Sequence, residues 1–391
     1  MFDRILDISD VLKRKSVFLL GPRQTGKSTY LRQKFPEALY VNLLKNSEYQ
    51  DFIKNPAQLQ NIVKYFVQNS ESRIVIIDEI QKHPALLDDV HDLIESDKSL
   101  RFILTGSSAR KLKRAGVNLL GGRASWFYLY PLCYSELGPN KNQLWLDGIV
   151  KGKLPSVIES VDYFSDLKDY IGMYLKDEIQ AEGVTRSIQN FARFLDIAAL
   201  FNGEQVNYTA IASDAQIKPS AVRDYFEILS DTLIGHILPA FESTTKRKAM
   251  TSSKFYLFDC GVAAVLAGRK EISIQTPEYG KQFEQAIFLE LKTYLAYTKS
   301  DKKLEYWRSN SKFEIDFLVY ENLESIIAIE AKSGINPTKK DFKGFAPFEE
   351  EFKLQKKIVV CQANQPQITS DGIEILPIHV FLEKLWAGQI I

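Results

Sequence analysis

Five short apolar runs punctuate the first third of the chain, at residues 17–20, 39–41, 74–77, 102–104 and 126–129, with helical patterns between them. Continuous runs of this length read as strands buried on both faces, and their alternation with helices predicts βα units and a parallel sheet. The middle region, about 141–250, reads mostly helical, and residues 164–179 mix acids, bases and apolar side chains at helical spacing. Within it, residues 208–212 and 219–229 predict two short helices around a turn at 214–217. Pro219 suits a first helical turn, and Val222, Tyr225, Phe226 and Leu229 make one apolar stripe. Residues 233–238 predict a hairpin behind the second helix, a winged-helix shape. The last third pairs a helical pattern at 280–291 with strand patterns at 304–308, 313–319 and 326–332. In the second of these, Phe313, Ile315 and Phe317 alternate with Glu314 and Asp316. The expected regions are therefore 1–140, 141–250 and 251–391.

Composition narrows the picture. A chain of 391 residues with 45% hydrophobic and 25% charged residues has material for two or three ordinary globular domains. The net charge of +1 supplies no global attraction for nucleic acid or anionic lipid, so any such surface is local. The basic segments at 110–114 and 246–248 are the places for one. Cys133, Cys260 and Cys361 are scattered and odd in number, which suits a reducing cytosol, and the four histidines lack metal-ligand spacing. No apolar run reaches the roughly 18 residues a spanning helix needs, and the charged N-terminus does not read as a signal peptide, so a cytoplasmic location is expected.

The first apolar run feeds Gly21-Pro22-Arg23-Gln24-Thr25-Gly26-Lys27-Ser28-Thr29, a complete GxxxxGK[ST] loop that opens a helix. Its backbone N–H groups are expected to cradle phosphates, with Lys27 on the β- and γ-phosphates of ATP and Ser28 on Mg²⁺. The third run ends in Asp78 and Glu79, at the strand end where ligands bind in such sheets. Asp78 is expected in the Mg²⁺ shell and Glu79 as the residue that polarises the attacking water. The fourth run ends in Thr105-Gly106-Ser107-Ser108, where Ser107 or Ser108 could sense the γ-phosphate; a plain turn leaving a strand explains the same residues. Arg123 follows a glycine pair and is a candidate for stabilising phosphoryl-transfer charge.

A second constellation lies near the C-terminus. Asp316 on one strand, Glu330-x-Lys332 on the next and Glu284 on the preceding helix gather carboxylates and an ammonium into one volume. Asp316 and Glu330 would hold Mg²⁺ or Mn²⁺, with Lys332 orienting or deprotonating a bound water. The competing reading is a solvated sheet edge with glutamate–lysine pairs.

The phosphate loop, the strand ending in Asp78-Glu79 and residues 105–108 resemble the core of an AAA-type ATPase, in the ASCE class with a catalytic glutamate beside the Walker B aspartate. Segments 129–137 and 254–261 extend the resemblance to a prokaryotic family of AAA ATPases with a C-terminal domain of unknown function. That C-terminal region is similar to PD-(D/E)XK nucleases: Glu284, Asp316, Glu330 and Lys332 match the helix acid, strand acid and ExK pair, without the proline before Asp316. The resemblance implies an α/β P-loop ATPase domain, a helical and winged-helix connector, and a nuclease-like α/β domain. It implies ATP hydrolysis coupled to a metal-dependent domain acting on DNA or RNA. The alternative is an ATP-dependent switch or scaffold that binds protein or DNA partners without cleavage. Self-association, with an arginine supplied between copies, fits the same relatives.

Overall fold

The computed structural model describes residues 2–108, 110, 120–175, 187–244 and 249–391. The chain forms two compact units, one made of residues 3–130 with 231–234, the other of residue 2, 131–230 and 235–391. Each is described by itself.

In the first unit all five apolar runs are strands: β1 Ser16–Leu20, β2 Leu39–Asn42, β3 Ile74–Asp78, β4 Arg101–Gly106 and β5 Ala124–Tyr128. They form one parallel sheet in the order β2-β3-β4-β1-β5. Every side chain of β1 is buried, as expected of a central strand covered by helices on both faces. Helices Gln58–Asn69 and Leu86–Ser96 bury Leu59, Val63, Leu87 and Val90 in the same core as Phe18, Val75 and Phe102. Trp126 stacks on Phe18 with ring centroids 4.4 Å apart. Because β4 lies between β1 and β3, the ends of three strands meet at one edge of the sheet.

The second unit begins its chain of helices with Lys141–Lys151 and Tyr163–Asp169, the latter followed by a π turn at Tyr170–Leu175. The predicted helix at 164–179 therefore changes winding within its span, and residues 176–179 lie outside the described ones. Helices Ile188–Leu200, Tyr208–Ala215 and Pro219–Asp231 follow, and the apolar stripe of the last is buried as patterned. The segment at 233–238 does not fold back on itself. Its strand, β6 Gly235–Leu238, pairs antiparallel with β7 Lys254–Leu257, so the expected boundary at 250 falls between two paired strands of one unit.

Helix Pro277–Tyr297 then leads into a six-stranded mixed sheet of β8 Lys303–Arg308, β9 Glu314–Tyr320, β10 Ile326–Ala331, β11 Leu354–Cys361, β12 Gln367–Ile368 and β13 Glu374–Pro377. The order is β12-β13-β11-β10-β9-β8; β8, β9 and β10 run antiparallel, and β11 runs parallel to β10. The helix packs Phe283, Ile287 and Phe288 against Phe317, Val319 and Ile329. Strict alternation along β9 breaks at Asp316, since Ile315 joins a different core from Phe317.

Candidate functional site

The loop after β1 is shaped by close backbone approach. A Cβ on Gly21 would lie 2.3 Å from the Leu129 carbonyl oxygen, so only glycine leaves room for the chain to pass. Gly26 caps the helix Lys27–Lys34 in the left-handed region at φ 89°, and Gln24 shares that region at φ 61°. The Thr25 hydroxyl donates to the Pro22 carbonyl at 2.9 Å, closing the turn. Lys27 Nζ donates to the carbonyls of Gly21 (2.7 Å) and Pro22 (3.0 Å), so its ammonium lies over the mouth of the loop. Arg4 braces the loop from outside, donating to the carbonyls of Thr25 and Tyr130, each at 2.7 Å. Arg23 is half-buried in the turn, and Thr29 is exposed on the helix.

The buried Asp78 carboxylate is the centre of the site. Ser28 Oγ donates to its Oδ2 at 2.7 Å, Tyr40 donates to the same oxygen at 2.5 Å, and Thr105 donates to Oδ1. Burial and the hydrogen bond to Asp78 push the Tyr40 phenol up to about 12, so it remains a donor at neutral pH. Glu79 follows at φ 64°, ψ 47°, a left-handed backbone conformation that costs a non-glycine residue about 1–3 kcal/mol. Its N–H donates to Thr105 Oγ1 at 3.1 Å. Its carboxylate accepts from Gln81 Nε2 at 2.6 Å, and the same amide reaches Ser107 Oγ at 3.2 Å. Ser108 instead accepts the Arg110 N–H at 2.9 Å and shapes its own turn.

Sequence and structure part at Arg123. It sits beside Ser16, at the start of β5, and its Nε donates to Glu95 at 2.5 Å. The phosphate loop is at the other end of these parallel strands, roughly 16 Å away for five residues of strand. Within this chain, Arg123 is not brought to the phosphates. Tyr40, Thr105 and Gln81 were missed as site residues, although each adjoins a recognised strand end. The basic run at 246–248 and most of 110–114 lie outside the described residues.

The donor set fits a magnesium nucleotide. Ser28 and Asp78 share one hydrogen bond at the mouth of a helix N-terminus, an arrangement suited to a hydrated Mg²⁺ beside phosphate.

In the second unit the four expected residues do converge, with a fifth among them. Asp316 Oδ2 accepts the Ala331 N–H at 2.9 Å, and Glu330 Oε2 accepts the Asp316 N–H at 3.2 Å. Lys332 Nζ lies 2.8 Å from Glu330 and 3.4 Å from Asp316. On the other side, Lys254 Nζ lies 2.8 Å from Glu284, 2.7 Å from Glu314 and 3.9 Å from Asp316. The Tyr256 hydroxyl also donates to Glu284, at 2.6 Å. Burial and the Asp316 charge push the Glu330 carboxyl up, whereas for Asp316 the two lysines outweigh burial and hold it down. Among the described residues, no group of three or more acids, histidines or cysteines is disposed to hold a metal ion. Ammonium groups, Lys254 and Lys332, occupy the space between these carboxylates where Mg²⁺ or Mn²⁺ is expected.

Residues 13–138 match the family described as an AAA domain. Residues 142–273 and 279–381 match two domains of unknown function, DUF8612 and DUF4143. An uncharacterized protein of Mycobacterium tuberculosis is 25% identical over 313 residues, covering 78% of this chain and 67% of the relative. An uncharacterized protein of Haemophilus influenzae is 23% identical over 386 residues, 91% of each chain. Among solved structures, a STAND protein with a tetratricopeptide repeat sensor from Pyrococcus horikoshii aligns with TM-score 0.25 and 15% identity over 76% of this chain. The chain spans 48% of that protein's length, and a likeness of this size carries no argument. No helix among the described residues is long and apolar enough to cross a membrane.

Proposed function

We propose that the chain is an ATP-hydrolysing switch. The observation that carries this is the Asp78 carboxylate, held by Ser28 and Thr105 with Glu79 one residue beyond it. Residues 21–29 bind the phosphates, Ser28 and Asp78 hold Mg²⁺, Glu79 orients and deprotonates the attacking water, and Ser107 marks the γ-phosphate end. Mg²⁺, when bound, neutralises charge on the phosphates; positioning the water belongs to Glu79. Lys27→Ala should lose nucleotide binding measured with a fluorescent ATP analogue. Glu79→Gln should bind normally and turn over at least about 100-fold more slowly. Turnover by Glu79→Gln at the wild-type rate would sink the assignment of the base.

A second reading concerns residues 251–391, where the convergence of Glu284, Asp316, Glu330 and Lys332 supports a nuclease-like module acting on DNA or RNA under nucleotide control. Three helices followed by the β6–β7 ribbon, residues 188–257, support a winged-helix shape that runs past the expected boundary at 250. Its last helix sets Arg223 against Asp224, Glu227 and Asp231, which favours a protein contact over DNA. The test compares wild type with Lys332→Ala on single-stranded, double-stranded and supercoiled DNA and on RNA, with Mg²⁺ or Mn²⁺. Cleavage lost in the variant supports a cutting enzyme; binding without cleavage supports the switch or scaffold. Self-association, with an arginine supplied by a neighbouring copy, belongs to the ATPase reading.

A further inference from the structure

Lys254 stands at the start of β7, outside the residues that suggested the second site. Its backbone is fixed on two sides, paired with Leu238 of β6 and bridged to Gln205. Its side chain is 96% buried and its ammonium passes 5.2 Å from the centre of the Tyr306 ring. From there it reaches Glu284, Glu314 and Asp316 within 3.9 Å, while Lys332 covers Glu330 and the other oxygen of Asp316. Each of the four carboxylates therefore has an ammonium beside it. Arg308 adds a further contact to Glu314 at 3.3 Å.

A divalent ion of the Mg²⁺ or Mn²⁺ type needs an oxygen shell at about 2.1 Å and tolerates no cation within that shell. The buried Lys254 ammonium and the half-buried Lys332 ammonium among the same oxygens oppose it by direct repulsion, which is least screened at the buried one. Burial pulls the Lys254 ammonium toward neutrality, but the Glu284 carboxylate and its neighbours outweigh that and keep it charged.

We propose that Lys254 is the resident cation of this cluster, holding the place a divalent metal would take. Resting on the nuclease-like reading of the domain, the C-terminal unit then keeps the residue set of a metal-dependent nuclease without its metal, and engages its partner without cutting. The ammonium opens toward a cleft of about 800 Å³ lined by Arg223, Lys281, Arg308 and Tyr208 as well as by Glu284 and Glu314, the surface such a partner would meet.

The test is Mn²⁺ binding to the full chain without nucleotide, by calorimetry and by the electron paramagnetic resonance signal of free Mn²⁺. Wild type and Asp316→Asn should give the same isotherm, any binding near Ser28 and Asp78 being common to both. Lys254→Ala should gain one site, tighter by about tenfold or more than anything in wild type, and Lys254→Ala/Asp316→Asn should lose it. A Mn²⁺ site in wild type that Asp316→Asn removes overturns the proposal. So does a folded Lys254→Ala that gains nothing. Lys254→Met, which keeps the buried stem, serves if the alanine variant does not fold, and the wild-type comparison stands without either. Failure to bind any nucleic acid would remove the nuclease-like reading while leaving the metal result intact.

Discussion

Glu79 and Gln81 show how a strained residue is kept in working position. The left-handed backbone of Glu79 turns its side chain out of the strand direction, and Gln81 then takes up the carboxylate. Gln81 is itself buried, and it fits because a Cβ on Gly106 would come within 2.5 Å of its amide oxygen. One amide group thus ties Glu79 to Ser107, just past the end of the neighbouring strand β4. Gln81→Ala should lower kcat for ATP hydrolysis by about tenfold to a hundredfold with nucleotide affinity unchanged, since only positioning is lost. Combined with Glu79→Gln, it should add little, because both changes remove the same function. Steady-state kinetics beside equilibrium binding separates these outcomes from a folding defect. The sequence carried Asp78 and Glu79 openly in the acid pair that ends an apolar run. Gln81 had no such signal: a glutamine three residues past a strand is ordinary until the chain turns it back.

At the scale of elements, helix Pro277–Tyr297 organises the second unit through one buried acid. Glu290 accepts from the Tyr134 N–H (3.0 Å), Trp145 Nε1 (2.8 Å), Lys153 Nζ (2.8 Å) and Trp386 Nε1 (3.0 Å). Segments near residues 134, 145–153 and 386 are thereby fastened to one turn of helix. Glu290→Ala would leave Lys153, 5% exposed, without its counter-charge. The expected cost is about 3–5 kcal/mol in urea unfolding of this unit. Glu290→Gln should recover only a part of it, because the amide keeps one acceptor oxygen while its NH2 faces partners that are all donors. Helical periodicity predicted this helix, and nothing in that pattern singled out Glu290. Its partners are up to 156 residues away in the chain, a separation that periodicity does not see.

For the whole molecule, stability should depend on pH through His236 on β6. Burial, with the Lys292 ammonium nearby, holds this imidazole well below its ordinary value of 6.5. The unfolded chain takes up a proton near pH 6.5 that the folded chain refuses, so stability rises with pH through that window and levels off above it. Melting of the second unit should fall between about pH 7.5 and pH 5.5, and His236→Gln should flatten that slope; an unchanged slope would mean other groups set it. What the sequence determined by itself was local: five apolar runs became five strands, the phosphate loop its turn, and Asp78-Glu79 a strand end, because backbone geometry and short-range periodicity act over a few residues. Tertiary structure alone decided which charges meet. Arg123 was carried to the far end of the sheet because β5 runs parallel to β1, so its start lies opposite the phosphate loop. Lys254 was brought among Glu284, Glu314 and Asp316 by the pairing of β6 with β7. Long-range contacts set the electrostatics of a buried cluster, and no pattern along the chain encodes them.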